Sequence, residues 1–132
     1  MTPDDERLTA LIESARVVRG NAYAPYSRFR VGAAVLTRAG NVHVGCNVEN
    51  ASYGATICAE RAALFRMIAS GDAEPLAVAI FVEGAEPAMP CGMCRQVIAE
   101  FGRDVLIVTA TPDRVKHSTI GALLPDAFVL PE

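Results

Sequence analysis

The sequence predicts an α/β domain in three layers, and three observations carry that prediction. Apolar runs of strand length alternate with segments patterned as helices. Two of those runs, residues 76–82 and 105–109, are apolar nearly throughout, as in parallel strands covered on both faces. Ahead of them, two Val- and Ala-rich stretches flank Ala39-Gly40-Asn41, the mark of an antiparallel hairpin. The architecture expected is three-layer α/β/α around a central mixed sheet, an antiparallel hairpin followed by parallel strands. One domain would span residues 1–132.

The elements follow in order. Thr2 reads as an N-cap with Pro3 at the first helical position, and Asp4, Asp5 and Glu6 lie over the positive dipole end. Leu8, Leu11, Ile12, Ala15 and Val18 keep one face of this helix apolar until Gly20 stops it. Residues 29–37 and 41–49 form the hairpin. A helix over residues 58–70 is ended by Gly71, and the apolar strand 76–82 comes next. A further helix starts at Cys91 or Cys94, runs to Phe101 and is closed by Gly102; strand 105–109 and a short helical turn over 120–124 complete the order α-β-β-α-β-α-β. With the second and third strands as parallel neighbours, the loops leaving their carboxyl ends emerge on one sheet edge, where open α/β folds bind ligands. Those loops carry Cys58 and the run P-C-G-M-C, residues 90–94.

Composition narrows the function. No apolar run approaches the roughly 18 residues of a membrane span, and M-T-P-D-D-E-R is acidic where a signal peptide is basic, so a cytoplasmic protein is expected. A net charge of −3 offers no electrostatic footprint for a polynucleotide, which leaves small molecules as the expected partners. Hydrophobic residues make up 52% of a chain of only 132, more than one small domain readily hides, so burial against other copies of the chain is expected.

The cysteines hold the chemistry. Cys91-x-x-Cys94 alone reads as a redox pair, as metal ligands or as chance. A third thiol, Cys58, brought to the same sheet edge at another helix N-terminus favours Zn²⁺, because helix dipoles stabilise thiolates and zinc prefers sulfur and nitrogen donors. Cys46 could supply a fourth sulfur in a closed, non-enzymatic Cys₄ module. However, it alternates with Val42, Val44 and Val48 on one strand face and reads as core. Three ligands leave zinc a position for water, as catalytic sites do. Glu60, beside the metal but not on it, would take the water's proton; an ordinary first-turn acid on the helix dipole is the alternative. The two can converge only if Cys58 sits at the very start of its helix. Arg61, three residues from Cys58, would offset the charge of three thiolates, or simply be a solvated helix residue. His43 and His117 stand in no ligand spacing and read as surface residues.

C-A-E-R (58–61) followed by P-C-G-M-C-R (90–95) resembles the zinc nucleoside deaminases, specifically the small homotetrameric cytidine deaminases. The resemblance extends through A-Y-A-P-Y-S-R-F-R-V-G-A-A (22–34), G-C-N-V-E-N-A-S-Y (45–53), C-R-Q-V (94–97) and L-L-P-D-A-F (123–128), most of the chain. It implies one Zn²⁺ per chain on Cys58, Cys91 and Cys94, with Glu60 as proton shuttle. It also implies Asn47 and Glu49 on the ribose hydroxyls, Phe29 against the pyrimidine and Tyr53 near the sugar, with Phe128 offered by a neighbouring subunit of a homotetramer. The activity implied is hydrolysis of cytidine and deoxycytidine to uridine and deoxyuridine with release of ammonia, as in pyrimidine salvage. A blasticidin S deaminase-like enzyme shares the metal motif and is the nearer alternative.

Overall fold

The structure, a computed structural model, describes residues 2–131. A five-stranded sheet runs through it, with β1 (Gly32–Thr37), β2 (Val42–Cys46), β3 (Pro75–Phe81), β4 (Leu106–Ala110) and β5 (Val115–Thr119) in the order β2-β1-β3-β4-β5. Helix α1 (Asp5–Arg19) covers one face; α2 (Ala59–Ala69), α3 (Gly92–Ala99) and the short α4 (Ile120–Leu123) lie on the other. Alternation along each strand divides the core accordingly. Ala34, Leu36, Ala77, Ala79 and Val108 pack under α1, while Ala33, Val35, Val78, Ile80 and Ile107 pack under α2 and its neighbours.

Two glycines decide how closely the helices approach. A Cβ on Gly32 would lie 1.9 Å from the Ala15 carbonyl oxygen of α1, and one on Gly45 would lie 2.4 Å from the Ala63 nitrogen of α2. The second contact seats the first turns of α2 directly over β2, near the site described below.

The strand order differs from the expected one. The second and third strands are not neighbours, because β1 lies between them, antiparallel to both. β1 is buried along its whole length and belongs in the middle, whereas β2, with Val42 46% exposed, belongs at an edge. Two antiparallel pairings leave β2 and β3 pointing the same way, so their carboxyl ends still share one sheet edge. The parallel neighbours are β3 and β4.

Other differences are local. Asp4, not Thr2, caps α1: its side chain accepts the Arg7 amide at 2.8 Å, and Pro3 precedes the helix. The hairpin strands end short, at Gly32 and Cys46, since residues 29–31 and 47–49 turn toward each other and bond through side chains. Strand β5, absent from the expectation, is an exposed and polar edge whose V-K-H-S-T carries little apolar signal. His43 is not a surface residue: its side chain is 11% exposed and its Nε2 lies 3.5 Å from Asp72. His117 is exposed. Cys46 is half-buried rather than core, because the valine face of the edge strand β2 extends beyond the cover of α1. Among the described residues, no helix is long and apolar enough to cross a membrane.

Candidate active site

Helices α2 and α3 both begin at the shared sheet edge, and each begins with a cysteine. Cys58 and Cys91 occupy the N-cap positions in extended conformation, with ψ of 154° and 170°, and neither thiol bonds back to its own helix. The thiols face each other instead, with Sγ atoms 3.7 Å apart. Cys94, one turn into α3 and on the same side as Cys91, completes a cluster whose three sulfurs all lie within 4.8 Å of one another. Zn–S bonds of about 2.3 Å in a tetrahedron require sulfurs about 3.8 Å apart, so the donor set and its spacing suit zinc. Among the described residues Cys46 takes no part in this cluster, which removes the geometric support for a closed four-cysteine site.

Charge at the cluster is organised by Arg61, whose Nη2 donates to Cys58 Sγ at 3.5 Å. Hydrogen bonding from Cys94, with lesser help from Arg61 and Cys91, pulls the Cys58 thiol down to about 5. Donation to Cys58 and burial push Cys94 the other way. The Nε of Arg61 is buried with no partner.

Glu60 is the second residue of α2, and because Cys58 is the N-cap, the two side chains converge at the helix end. Glu60 is 5% exposed; burial, followed by the charge of Cys58, pushes its pKa up to about 6. A carboxyl poised near neutrality beside a thiolate cluster suits proton transfer.

Cys58, Glu60 and Cys91 line a cavity of about 210 Å³, whose walls also carry Ile80, Ala88, Met89, Phe29, Asn47 and Glu49. Asn47 Nδ2 donates to the Phe29 carbonyl and its Oδ1 accepts the Val31 amide, both at 2.8 Å. One Glu49 oxygen accepts the amides of Tyr26 and Ser27, and the other accepts the Ser27 hydroxyl, which holds the carboxyl below its usual range. Tyr53 stands in an adjoining depression, edge-on to Tyr26 with ring centroids 6.4 Å apart. Phe128 reaches neither cavity. It is 67% exposed, and its backbone is held by the Gln96 carboxamide.

Sequence reasoning passed over Ser27, Thr56, Ala88 and Met89, all of which line the cavity. It also passed over Arg95, whose Nε holds the Pro90 carbonyl at 2.7 Å, just before Cys91. Only proximity to Phe29 and to the cysteines in the sequence could have flagged them.

A family model described as "Cytidine and deoxycytidylate deaminase zinc-binding region" matches residues 5–110. The chain belongs to this zinc-binding deaminase family. It is similar to the cytidine deaminase of Halalkalibacterium halodurans, 46% identical over 121 residues, spanning 89% of this chain and 91% of the relative. Crystal structures of family members share its fold. For the Burkholderia pseudomallei cytidine deaminase the TM-score is 0.87 at 50% identity, covering 91% of this chain and 98% of that one. For the Mycobacterium tuberculosis cytidine deaminase it is 0.79 at 43% identity, covering 97% and 100%. The mixed α/β sheet is thus the family's fold, and zinc is the family's metal.

Proposed function

We propose that the chain hydrolyses cytidine and deoxycytidine to uridine and deoxyuridine, releasing ammonia in pyrimidine salvage. The observation that carries this reading is the convergence of three thiols on a buried carboxyl raised to about 6, at one end of a nucleoside-sized cavity. Cys58, Cys91 and Cys94 would hold one zinc, which when bound supplies a Lewis acid able to activate water near neutral pH. Arg61 offsets the charge that three thiolates bring. Glu60 takes a proton from the attacking water and delivers it to N3 of the cytosine ring as oxygen bonds to C4. It then carries the remaining proton from the new C4 hydroxyl to the exocyclic nitrogen, the C4 oxygen becomes the carbonyl of uridine, and the C4–N bond breaks to release ammonia.

At the sugar end, Asn47 retains one donor and one acceptor after its two backbone bonds, and Glu49, with three donors on its carboxylate, has roughly one acceptor position left. That remainder matches the hydroxyls of a ribose. Phe29 would lie against the pyrimidine, and Tyr53 would border the sugar from its depression.

We further read the chain as one domain over residues 1–132, acting in a homotetramer with Phe128 supplied by a neighbouring copy. Phe128, Val129 and Leu130 are all exposed beyond the chain's own cavity, which supports this reading. Cytoplasmic residence fits a site built of free thiols, which an oxidising compartment would cross-link.

The test is turnover by the zinc-loaded protein. Cytidine and deoxycytidine absorbance should fall with equimolar ammonia released, and blasticidin S should be spared. No loss of either nucleoside would overturn the reading, and faster turnover of blasticidin S would replace it with the related deaminase. Mixing Glu60→Gln chains with Phe128→Ala chains tests the shared site: after verified subunit exchange, activity should exceed the sum of the separate variants. A strictly additive result would place Phe128 in the service of its own chain.

A further inference from the structure

Between α1 and β1, residues 20–31 run with almost no regular structure, yet they supply the aromatic wall of the cavity, Phe29. Arg28 within this stretch has φ of 61°, the left-handed region that side chains other than glycine seldom occupy, so its surroundings must hold it there. Ser27 and Phe29 flank it. The Ser27 hydroxyl donates to a Glu49 carboxylate oxygen and at the same time accepts the Phe29 amide at 3.0 Å. The other Glu49 oxygen accepts the amides of Tyr26 and Ser27 at 2.9 and 3.1 Å, and the Asn47 carboxamide donates to the Phe29 carbonyl and accepts the Val31 amide.

We propose that Ser27 is a positioning residue: its hydroxyl couples the Glu49 carboxylate to the Phe29 backbone across the left-handed Arg28, so that ring and carboxylate keep one spacing across the cavity. A hydroxyl is the small group that donates and accepts at once, which is what this place between a carboxylate and an amide demands. The Glu49 oxygens accept the Tyr26 and Ser27 amides and the Ser27 hydroxyl, and the Phe29 amide donates to that hydroxyl, so the link from Glu49 to Phe29 runs through Ser27. Ser27 lines the cavity, but its hydrogen bonds go to Glu49 and Phe29 and not to the thiols or Glu60. Its loss should therefore weaken the grip on substrate without slowing the chemical step. The inference rests on the deaminase reading, in which Phe29 and Glu49 meet the two ends of a nucleoside.

The experiment compares Ser27→Ala and Ser27→Thr in the zinc-loaded protein. Ser27→Ala should raise KM for cytidine about tenfold, the scale of one lost charge-assisted hydrogen bond, with kcat within about twofold and zinc content unchanged. Ser27→Thr, which keeps the hydroxyl, should restore KM to within about threefold. In a Phe29→Ala background the further loss from Ser27→Ala should shrink below about threefold, because the two residues act as one unit. An unchanged KM in Ser27→Ala, a loss confined to kcat, or a full tenfold loss in the Phe29→Ala background would each overturn the proposal. Amide hydrogen exchange separates it from the deaminase reading. If wild-type protein turned over no nucleoside, that reading would fail, while faster exchange at Phe29 in Ser27→Ala would still uphold the coupling and unchanged exchange would refute it.

Discussion

A concavity of about 940 Å³ runs along α1 between Asp5, Glu13 and Arg16 and the strand ends at Phe81 and Val115, whereas the cavity beside the cysteines holds about 210 Å³. The charged groups of the larger groove are free to face water or one another, as Glu13 and Arg16 do in an exposed pair one helical turn apart. In the smaller cavity Glu60 is buried and raised to about 6, and Cys58 is lowered to about 5. Such shifts require desolvation and fixed neighbours, which an open groove does not supply. The comparison teaches that reactivity here follows convergent helix ends and exclusion of water, not volume.

The largest expected effect comes from removing a buried thiol of the cysteine cluster. Cys94→Ser should reduce bound zinc well below one per chain and make cytidine turnover undetectable, with circular dichroism confirming that the fold persists. Full activity without zinc would erase the contrast between the two concavities. Next comes Glu60→Gln, which should keep one zinc and lose about 10²–10⁴ in kcat, the usual scale of general acid–base catalysis. Near-normal rates in steady-state assays would remove Glu60 from the chemistry.

Smaller effects concern stability. Asn47→Ala strands the Phe29 carbonyl and the Val31 amide, and should lower unfolding free energy by about 3 kcal/mol in urea titrations. A change near zero would show that Asn47 does not tie the loop to β2. In the metal-free protein, Glu60 contributes a pH dependence whose sign is set by its raised pKa. The folded state holds this proton more tightly than the unfolded chain, so stability is greatest below the ordinary value of 4.5 and falls as pH rises through about 6. Metal-free Glu60→Gln should lack that fall, worth about 2 kcal/mol, when both proteins are unfolded across the window. Identical profiles would mean that Glu60 is not desolvated as the cavity implies. Smallest of all, Ala10→Glu in the α1 groove should leave kcat/KM within about twofold. A tenfold loss would bring the groove into the active machinery and break the comparison outright.

Much of the site was legible before the fold. The i, i+3 spacing of Cys91 and Cys94 places both on one helix side wherever that helix goes, and Cys58 beside Glu60 requires only that a helix begin there. Ser27 was not legible, because a serine beside an arginine in a loop has no periodicity, and its role exists only once Glu49, 22 residues on, comes within hydrogen-bonding reach. Strand β5 was missed for a related reason. An exposed edge strand needs no apolar residues, so V-K-H-S-T becomes a strand only because β4 offers it an unpaired edge.

The sequence by itself determined α1 to α4 and β1 to β4 to within a few residues, though not β5, and which donors lie at the starts of α2 and α3. These follow from backbone preferences and side-chain spacings that act over a few residues. Tertiary structure alone decided that β1 enters between β2 and β3, that Cys58 meets Cys91 33 residues away, and that Glu60 is buried deeply enough to be raised toward neutrality. Strand order and burial depend on how much apolar surface each segment hides against distant partners, and a shifted pKa depends on every dipole and charge that the packing gathers around it. None of these quantities belongs to a short stretch of chain.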